Sequence, residues 1–316
     1  MGQLIPLITA SFLDWLIGDP WGFPHPVQAM GWSIDLGTKF IFSYIKSPLG
    51  QKLAGVGLAV AIIGGSAGLG WGLVAFAYSL NYWLGWSIES ILLASCLATR
   101  SLRDAAIAVL IPLQQNDLDR ARAELSLYVG RDSANLDPPE ILRAVLETVA
   151  ENTTDGVIAP LFFAILGGAP LALAYKAAST LDSTIGYKAA PYTDLGWFSA
   201  KLEDVLSWLP CRYTVLSIAI LSGHPHRVWR LCCRDAPKDA SPNSGWSECA
   251  FAAALDVQLG GINTYKGVVT SKPLLGEPEQ PITTRSITQA IQLMRLSFIS
   301  LLSIGCTLIF WAKSWN

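Results

Sequence analysis

Between Lys52 and Glu89 the chain runs for 36 residues without a charged side chain. A helix crossing a hydrocarbon core about 30 Å thick needs about 20 apolar residues, so the run is too long for one span. Continued to Ala98, it has room for two helices that turn near Asn81. The composition agrees with a membrane setting: 52% of the 316 residues are hydrophobic, 15% are charged and mean hydropathy is +0.40. Ordinary soluble domains carry roughly 25% charged residues.

Residues 156–175 form a second uncharged run, 20 residues between Asp155 and Lys176, with Gly167, Gly168 and Pro170 inside it. That pattern predicts a broken or re-entrant helix, whose freed backbone groups need protein or water as partners. Residues 296–312 predict a short C-terminal span. Weaker candidates are 205–223, interrupted by Arg212, and 4–17, which holds Asp14. The expected fold class is therefore all-α: a polytopic integral membrane protein with four to six apolar helices and helical extramembrane segments, one membrane-embedded domain over residues 1–316. Residues 99–150 carry six arginines and residues 224–295 eight basic residues, whereas the Asn81 turn carries none, so both polar segments are expected in the cytoplasm. The first basic residue is Lys39, so the positive region of a cleaved signal peptide is missing and the first apolar segment is expected to stay.

Several classes of function are disfavoured. Lys+Arg 22 against Asp+Glu 24 leaves a net charge of −2, which is no footprint for nucleic acid. The six cysteines lack a CxxC pair or regular spacing and read as reduced packing residues, not a zinc site or disulfide framework. GGSAGLGWG at 64–72 lies inside the apolar run without an acidic residue at the dinucleotide offset, so it reads as a surface for close helix packing. No G-x-x-x-x-G-K-[ST] occurs, which excludes P-loop nucleotide chemistry.

Chemistry-bearing residues fall in a few polar segments. DWLIGDPWGFPHPV at 14–27 holds three prolines that stop helix continuation, giving a stiff loop that presents Asp19 and His25; the plainer reading is a turn whose histidine bonds backbone. A helix is predicted to start near Asp137-Pro138-Pro139, and on it Arg143, Glu147, Glu151 and Asp155 recur every four residues, one stripe if the helix persists. Such a stripe is either a solvated face or, at the edge of an apolar run, a site; the carboxylates and amide of Glu151, Asn152 and Asp155 suit Mg²⁺ shared with substrate phosphates. Residues 175–204 are rich in ligands, among them Lys176, Asp182, Lys188, Asp194, Glu203 and Asp204, and would suit a phosphorylated substrate with its metal, or form an ordinary external loop. If 156–175 dips and returns, that segment shares a compartment with Glu151 and the two form one site. SPNSG at 241–245 is a turn signature, either an anion site through its amides or a simple cap, ahead of a small-residue helix expected over 249–259 and stopped by Gly260-Gly261.

Six stretches in this order resemble the adenosylcobinamide-phosphate synthase family, the CobD/CbiB membrane proteins of cobalamin synthesis. They are GDP and PHPV at 18–27, SLRDA at 101–105, VGRD at 129–132, ENTTDGVIAPLF at 151–162, YKA, LDS and GYK within 175–188, and SPNSGW at 241–246. Ser179, Lys201 and Glu203 stand where the family pattern has Asn, Arg and Asp.

The resemblance implies a multi-pass inner-membrane enzyme that joins a carboxylate of adenosylcobyric acid to (R)-1-aminopropan-2-ol or its O-phosphate with ATP cleavage, using Mg²⁺. Mapped onto this chain, Glu151, Asn152, Asp155 and Asp182 would hold metal. Arg103, Arg131, Lys176, Lys188, Ser241 and Asn243 would bind substrate and phosphate groups. Asp19, His25 and Asp104 form the catalytic group, His25 being the preferred base because its ordinary pKa lies near 6.5. The corrinoid, the amine and membrane lipid are the expected partners, with a homo-oligomer or a complex with other cobalamin enzymes compatible and no nucleic acid. Two other functions fit parts of the sequence: a transporter for a corrinoid or other anion, using intramembrane Glu89, and a scaffold that docks corrinoid enzymes.

Overall fold

The computed structural model describes residues 4–18, 25–187 and 189–314. Asp19 and Lys188, singled out from the sequence, lie outside the described residues. In chain order the elements are α1 (Leu4–Leu16), α2 (Pro26–Tyr44), α3 (Pro48–Leu80), α4 (Tyr82–Ala94), α5 (Thr99–Gln114), α6 (Leu118–Ser126), α7 (Pro138–Asn152), a π-helical stretch (Thr153–Ile158) and α8 (Ala159–Ile185). They continue with α9 (Trp197–Leu206), α10 (Trp208–Leu221), α11 (Pro225–Asp235), α12 (Ser244–Ala254), the strands β1 (Gln258–Tyr265) and β2 (Val268–Gly276), and α13 (Thr284–Ser314). The chain divides into two compact units: residues 1–98, 159–207 and 301–316 form the first, residues 99–158 and 208–300 the second.

In the first unit, α3 begins where Ser47 Oγ accepts from the Gly50 amide and Pro48 occupies the first turn, the pairing expected at a helix start. It ends at Asn81, which in turn caps α4 by accepting from the Trp83 amide at 2.7 Å. The turn near Asn81 is thus where the apolar run predicts it. Large apolar side chains on α3 stay uncovered, Leu69 at 71% and Trp71 at 66% exposure, as a helix facing lipid requires. Its contacts with neighbours run through small residues. A Cβ on Gly55 would meet the Leu195 carbonyl oxygen at 2.1 Å and one on Gly70 the Leu173 side chain at 2.5 Å. In the 64–72 motif only Gly70 packs this way, because a Cβ on Gly64, Gly65, Gly68 or Gly72 would meet nothing within 4 Å.

Among the described residues three helices are long and apolar enough to cross a membrane: Pro48–Leu80, Pro138–Ile185 and Thr284–Ala312, with a fourth if α9 and α10 count as one bent span. That is an all-α membrane protein with fewer spans than the four to six expected. The reason is length. α4 has 13 residues and α1 also 13, about 20 Å of helix each at 1.5 Å per residue, short of a hydrocarbon core about 30 Å thick. The predicted break in 156–175 is real: Gly167 (φ −152°) and Gly168 (φ +63°) leave helical geometry inside α8. Residues 175–185, read as part of a loop, belong to that helix.

The second unit packs helices and one hairpin around α12, whose residues 247–253 are all buried. Serine, cysteine and alanine on α12 let neighbouring backbones approach, and Ser247 Oγ donates to the Ala150 carbonyl of α7 at 2.6 Å. α7 starts as predicted, with Asp137 accepting from the Glu140 amide at 2.9 Å and Pro138 at the first helical position. The helix predicted over 249–259 ends at Ala254, and Gly260-Gly261 lie inside β1, not at a helix stop. There they make an irregularity in the antiparallel β1–β2 register between Leu259 and Gly261. Gly260 takes φ +85° and a Cβ there would lie 2.0 Å from the Pro273 carbonyl oxygen, so only glycine fits. All six cysteines are free thiols, four of them buried; Cys233 is exposed and Cys306 half-buried, so not all six are packing residues.

Candidate active site

The charged stripe on α7 is no solvated face. Arg143 is 7% exposed and Glu147 2%. Arg143 donates to Glu147, Glu140 and the Gly260 carbonyl, to the Ile262 carbonyl at 2.9 Å and to Asn263 Oδ1 at 3.0 Å. Glu147 also accepts from Arg131 and, at 2.9 Å, from the Gly260 amide. A carboxylate held by two guanidiniums and a backbone N–H is fixed in place. Removing one partner of such a buried pair costs about 3–5 kcal/mol, because the other charge is stranded. The adjacent Asp132 holds the hairpin turn, accepting from the Lys266 amide at 3.0 Å and the Gly267 amide at 2.8 Å. The VGRD motif therefore clamps the β1–β2 hairpin onto α7.

The α-helical part of the stripe ends at Glu151. From Thr153 the helix widens into π geometry, with i→i+5 hydrogen bonds, and Asp155 lies within that stretch. Asn152 turns its amide nitrogen back to the Thr148 carbonyl at 3.0 Å.

A second layer of charge meets this one. Glu248 on α12 is fully buried; its Oε1 accepts from Lys272 Nζ of β2 at 3.4 Å, while Oε2 has no hydrogen-bond partner. Glu151, Glu147 and Asp239 lie within electrostatic range of both. Burial pushes the Glu248 carboxyl up to about 8, the neighbouring carboxylates push the same way, and Lys272 opposes them. Burial would discharge Lys272, but Glu248, Glu151, Glu147 and Asp239 outweigh it and hold the ammonium charged well above its ordinary range. Glu147 is already neutralised by two arginines. What remains is Glu151, Asp239 and Glu248 against Lys272, three carboxyl groups to one ammonium, with Glu248 holding its proton below about 8.

Near α5, Asp104 is gripped by Arg100 at 3.2 Å and Arg103 at 3.1 Å, with Arg295 of α13 in electrostatic range: three guanidiniums to one carboxylate. That leaves Asp104 an ion-pair partner and the cluster cationic.

The remaining predicted residues have local duties. His25 is the N-cap of α2, its Nδ1 accepting from the Val27 amide at 3.2 Å, the plainer of the two readings. Ser241 Oγ accepts from the amides of Asn243 (3.3 Å) and Ser244 (3.2 Å). Asn243 is buried and accepts from Arg212, which lies between the rings of Trp208 and Trp246. Asn243 stands at the N-cap of α12 without a side-chain hydrogen bond to the helix, and Ser241 supplies that bond to the Ser244 amide instead. Lys176 and Asp182 sit on α8 in the first unit, where Asp182 is in electrostatic range of Glu203, and Glu203 accepts from Tyr175 OH at 3.3 Å. Glu89 accepts from Tyr78 OH at 2.9 Å.

Among the described residues no three His, Cys, Asp or Glu side chains come close enough to hold a metal ion. Glu151, Asn152 and Asp155 belong to the second unit and Asp182 to the first. The donors suit only the looser mode of Mg²⁺, one or two carboxylates plus substrate phosphates, in which Glu151 would be the carboxylate. Sequence reasoning passed over Asp239, Glu248, Lys272 and Arg295. Glu248 had a signal, being the one Asp, Glu, Lys or Arg in an otherwise uncharged helix. Lys272 had none.

Fold and site together define a multi-helix membrane protein with a carboxylate–lysine pair around a fully buried glutamate. The CobD/Cbib protein family model matches residues 7–294. The chain is 49% identical over 320 residues to the cobalamin biosynthesis protein CobD of Synechocystis sp., covering 97% of this chain and 94% of that one. It is 44% identical to CbiB of Salmonella typhimurium (90% and 91% covered) and 41% identical to CobD of Klebsiella pneumoniae (98% of each). No solved structure matches. The chain belongs to the CobD/CbiB family of cobalamin biosynthesis proteins.

Proposed function

We propose that this protein is an ATP-dependent amide synthase of cobalamin biosynthesis, joining a carboxylate of adenosylcobyric acid to (R)-1-aminopropan-2-ol or its O-phosphate. The observation that carries the reading is the pair of buried Glu248 and half-buried Lys272 with Glu151 and Asp239 in electrostatic range. A carboxylate is a poor electrophile, so amide formation needs prior activation. The substrate carboxylate oxygen takes the terminal phosphoryl group of ATP, ADP leaves, and an acyl phosphate results. The amine nitrogen then attacks the acyl carbon, inorganic phosphate departs, and one proton is lost from nitrogen.

An aliphatic amine arrives as ammonium and must shed a proton before it attacks. The excess of carboxylates at Glu151, Asp239 and Glu248 favours binding that cation. Glu248, with its carboxyl near 8, is matched to take the proton close to neutral pH. Lys272 stays charged and offsets negative charge developing on the acyl oxygen. Arg100, Arg103 and Arg295 supply the cationic surface for phosphate groups. Mg²⁺, when bound with the nucleotide, would supply charge neutralisation of the polyphosphate, with Glu151 as its protein carboxylate. His25 and Asp104, already engaged, are not needed as bases. The test is incubation of the purified protein with adenosylcobyric acid, either amine and Mg-ATP, followed by mass analysis: a product heavier by the amine minus water is expected, and its absence with folded protein overturns the reading.

A further inference from the structure

Arg100, Arg103, Asp104 and Arg295 gather where the chain twice leaves an apolar stretch. No basic residue lies between Lys52 and Arg100, and no charged residue of either sign between Arg295 and Lys313. Arg100 is thus the first cation after one long apolar stretch, and Arg295 the last before the uncharged part of α13, a helix apolar enough to cross a membrane. Their charges do not cancel. Asp104 bonds Arg100 at 3.2 Å and Arg103 at 3.1 Å, with Arg295 in electrostatic range of all three, so one carboxylate offsets one of three guanidiniums. α5 adds to the surplus: it starts at Thr99 with no acidic side chain in its first turn, and its N-terminal end carries partial positive charge. Arg100 and Arg103 keep about a third of their side-chain surface open, 35% and 34%, so an anion can reach them from outside. Guanidiniums grouped this way favour phosphate, whose oxygens accept paired N–H bonds.

The neighbouring surface selects the kind of phosphate. Ile299 follows Arg295 by one helical turn and lies on the same side of α13; it is 55% exposed, and Leu296 is 38% exposed. A phosphate held by the arginines therefore has an uncovered apolar strip beside it, toward the uncharged end of the helix. Inorganic phosphate has nothing to lay there and a nucleotide brings a polar ribose, whereas a phospholipid brings acyl chains. We propose that Arg100, Arg103 and Arg295 bind the phosphate of an anionic phospholipid, with an acyl chain along Leu296 and Ile299. A zwitterionic lipid fits less well, because its ammonium group would meet the surplus positive charge. The amide-synthase reading asks only for a cationic surface at these arginines, and lipid binding stands or falls independently of that chemistry.

The test uses delipidated full-length protein in a neutral detergent, with bound lipid counted by native mass spectrometry. Phosphatidylglycerol is expected to bind about tenfold more tightly than phosphatidylcholine. Arg103→Gln combined with Arg295→Gln is expected to weaken phosphatidylglycerol about thirtyfold, through the loss of two cations beside an anionic lipid, and to leave phosphatidylcholine unchanged. Lys39→Gln, which removes an exposed cation on α2, is expected to bind like wild type. Wild-type protein is also challenged with ATP and with inorganic phosphate at concentrations matched to the lipid, and is expected to keep its phosphatidylglycerol. Equal binding of the two lipids by wild type, or phosphatidylglycerol binding untouched in the double variant, would overturn the proposal. Displacement of the lipid by ATP or inorganic phosphate would overturn it too, and return the cluster to soluble phosphates.

Discussion

Lys272 Nζ and Glu248 Oε1 stand 3.4 Å apart in the second unit, the half-buried lysine from a strand and the fully buried glutamate from a helix. Each is there at a cost that the other partly offsets, and the glutamate retains an oxygen with no partner. That pairing gives the protein a group that changes charge near neutral pH.

Its first consequence is a pH dependence of stability. The folded state binds a proton at Glu248 that the unfolded chain releases near the ordinary glutamate value, so stability is fullest below about 4.5 and falls as pH rises toward about 8. Thermal unfolding in detergent is expected to shift to lower temperature between pH 5 and pH 8, and Glu248→Gln to flatten that slope.

Breaking the clamp is expected to be more damaging than altering the pair. Glu147→Ala takes from Arg131 its carboxylate and from Arg143 one of two, in a buried setting, and should cost about 3–5 kcal/mol, read as lost folded protein in the membrane fraction. Glu147→Gln keeps the shape and one acceptor and should cost less.

Two glycines separate backbone strain from crowding. Gly267 has φ +79° with open space around it, so Gly267→Ala should cost about 1 kcal/mol. Gly260→Ala meets the Pro273 carbonyl as well and should cost several kcal/mol, with the hairpin opening to proteolysis as the readout.

At the acid end Asp235 sets a limit. Burial opposes its ionisation, but hydrogen bonds from Arg234, Lys238 and the Gly276 amide outweigh burial and hold its carboxyl down to about 2. Its contribution, about 1–2 kcal/mol, is whole above its ordinary value and is lost as pH falls through 2. Asp235→Asn is expected to lower stability at pH 6 and to remove that acid limb.

Local rules made part of this legible beforehand. The turn at Asn81, the start of α7 at Asp137-Pro138 and the break at Gly167-Gly168 follow from caps, proline and glycine, whose effects act within a few residues. The hairpin was missed because Gly260-Gly261 after a small-residue run looks like a helix stop, although Lys266-Gly267 between Tyr265 and Val268 carried a hairpin signal. The π-helical stretch from Thr153 has no periodic signature in the sequence. Glu248 and Lys272 are 24 residues apart in the chain and meet only because α12 and β2 pack together, a tertiary fact that side-chain spacing does not encode. Ser241 and Asn243 are legible as a turn, and Ser241 Oγ holds it by accepting from the amides of Asn243 and Ser244.

The most direct measurement is the rate of amide formation by wild-type protein and Glu248→Gln across pH 6 to 9, with folded fraction monitored alongside. Wild type is expected to speed up as Glu248 loses its proton near pH 8, and the variant to run at least about a hundredfold slower with that rise gone. A folded Glu248→Gln protein that makes product at the wild-type rate with the same pH profile would contradict the assignment of the Glu248–Lys272 pair to catalysis.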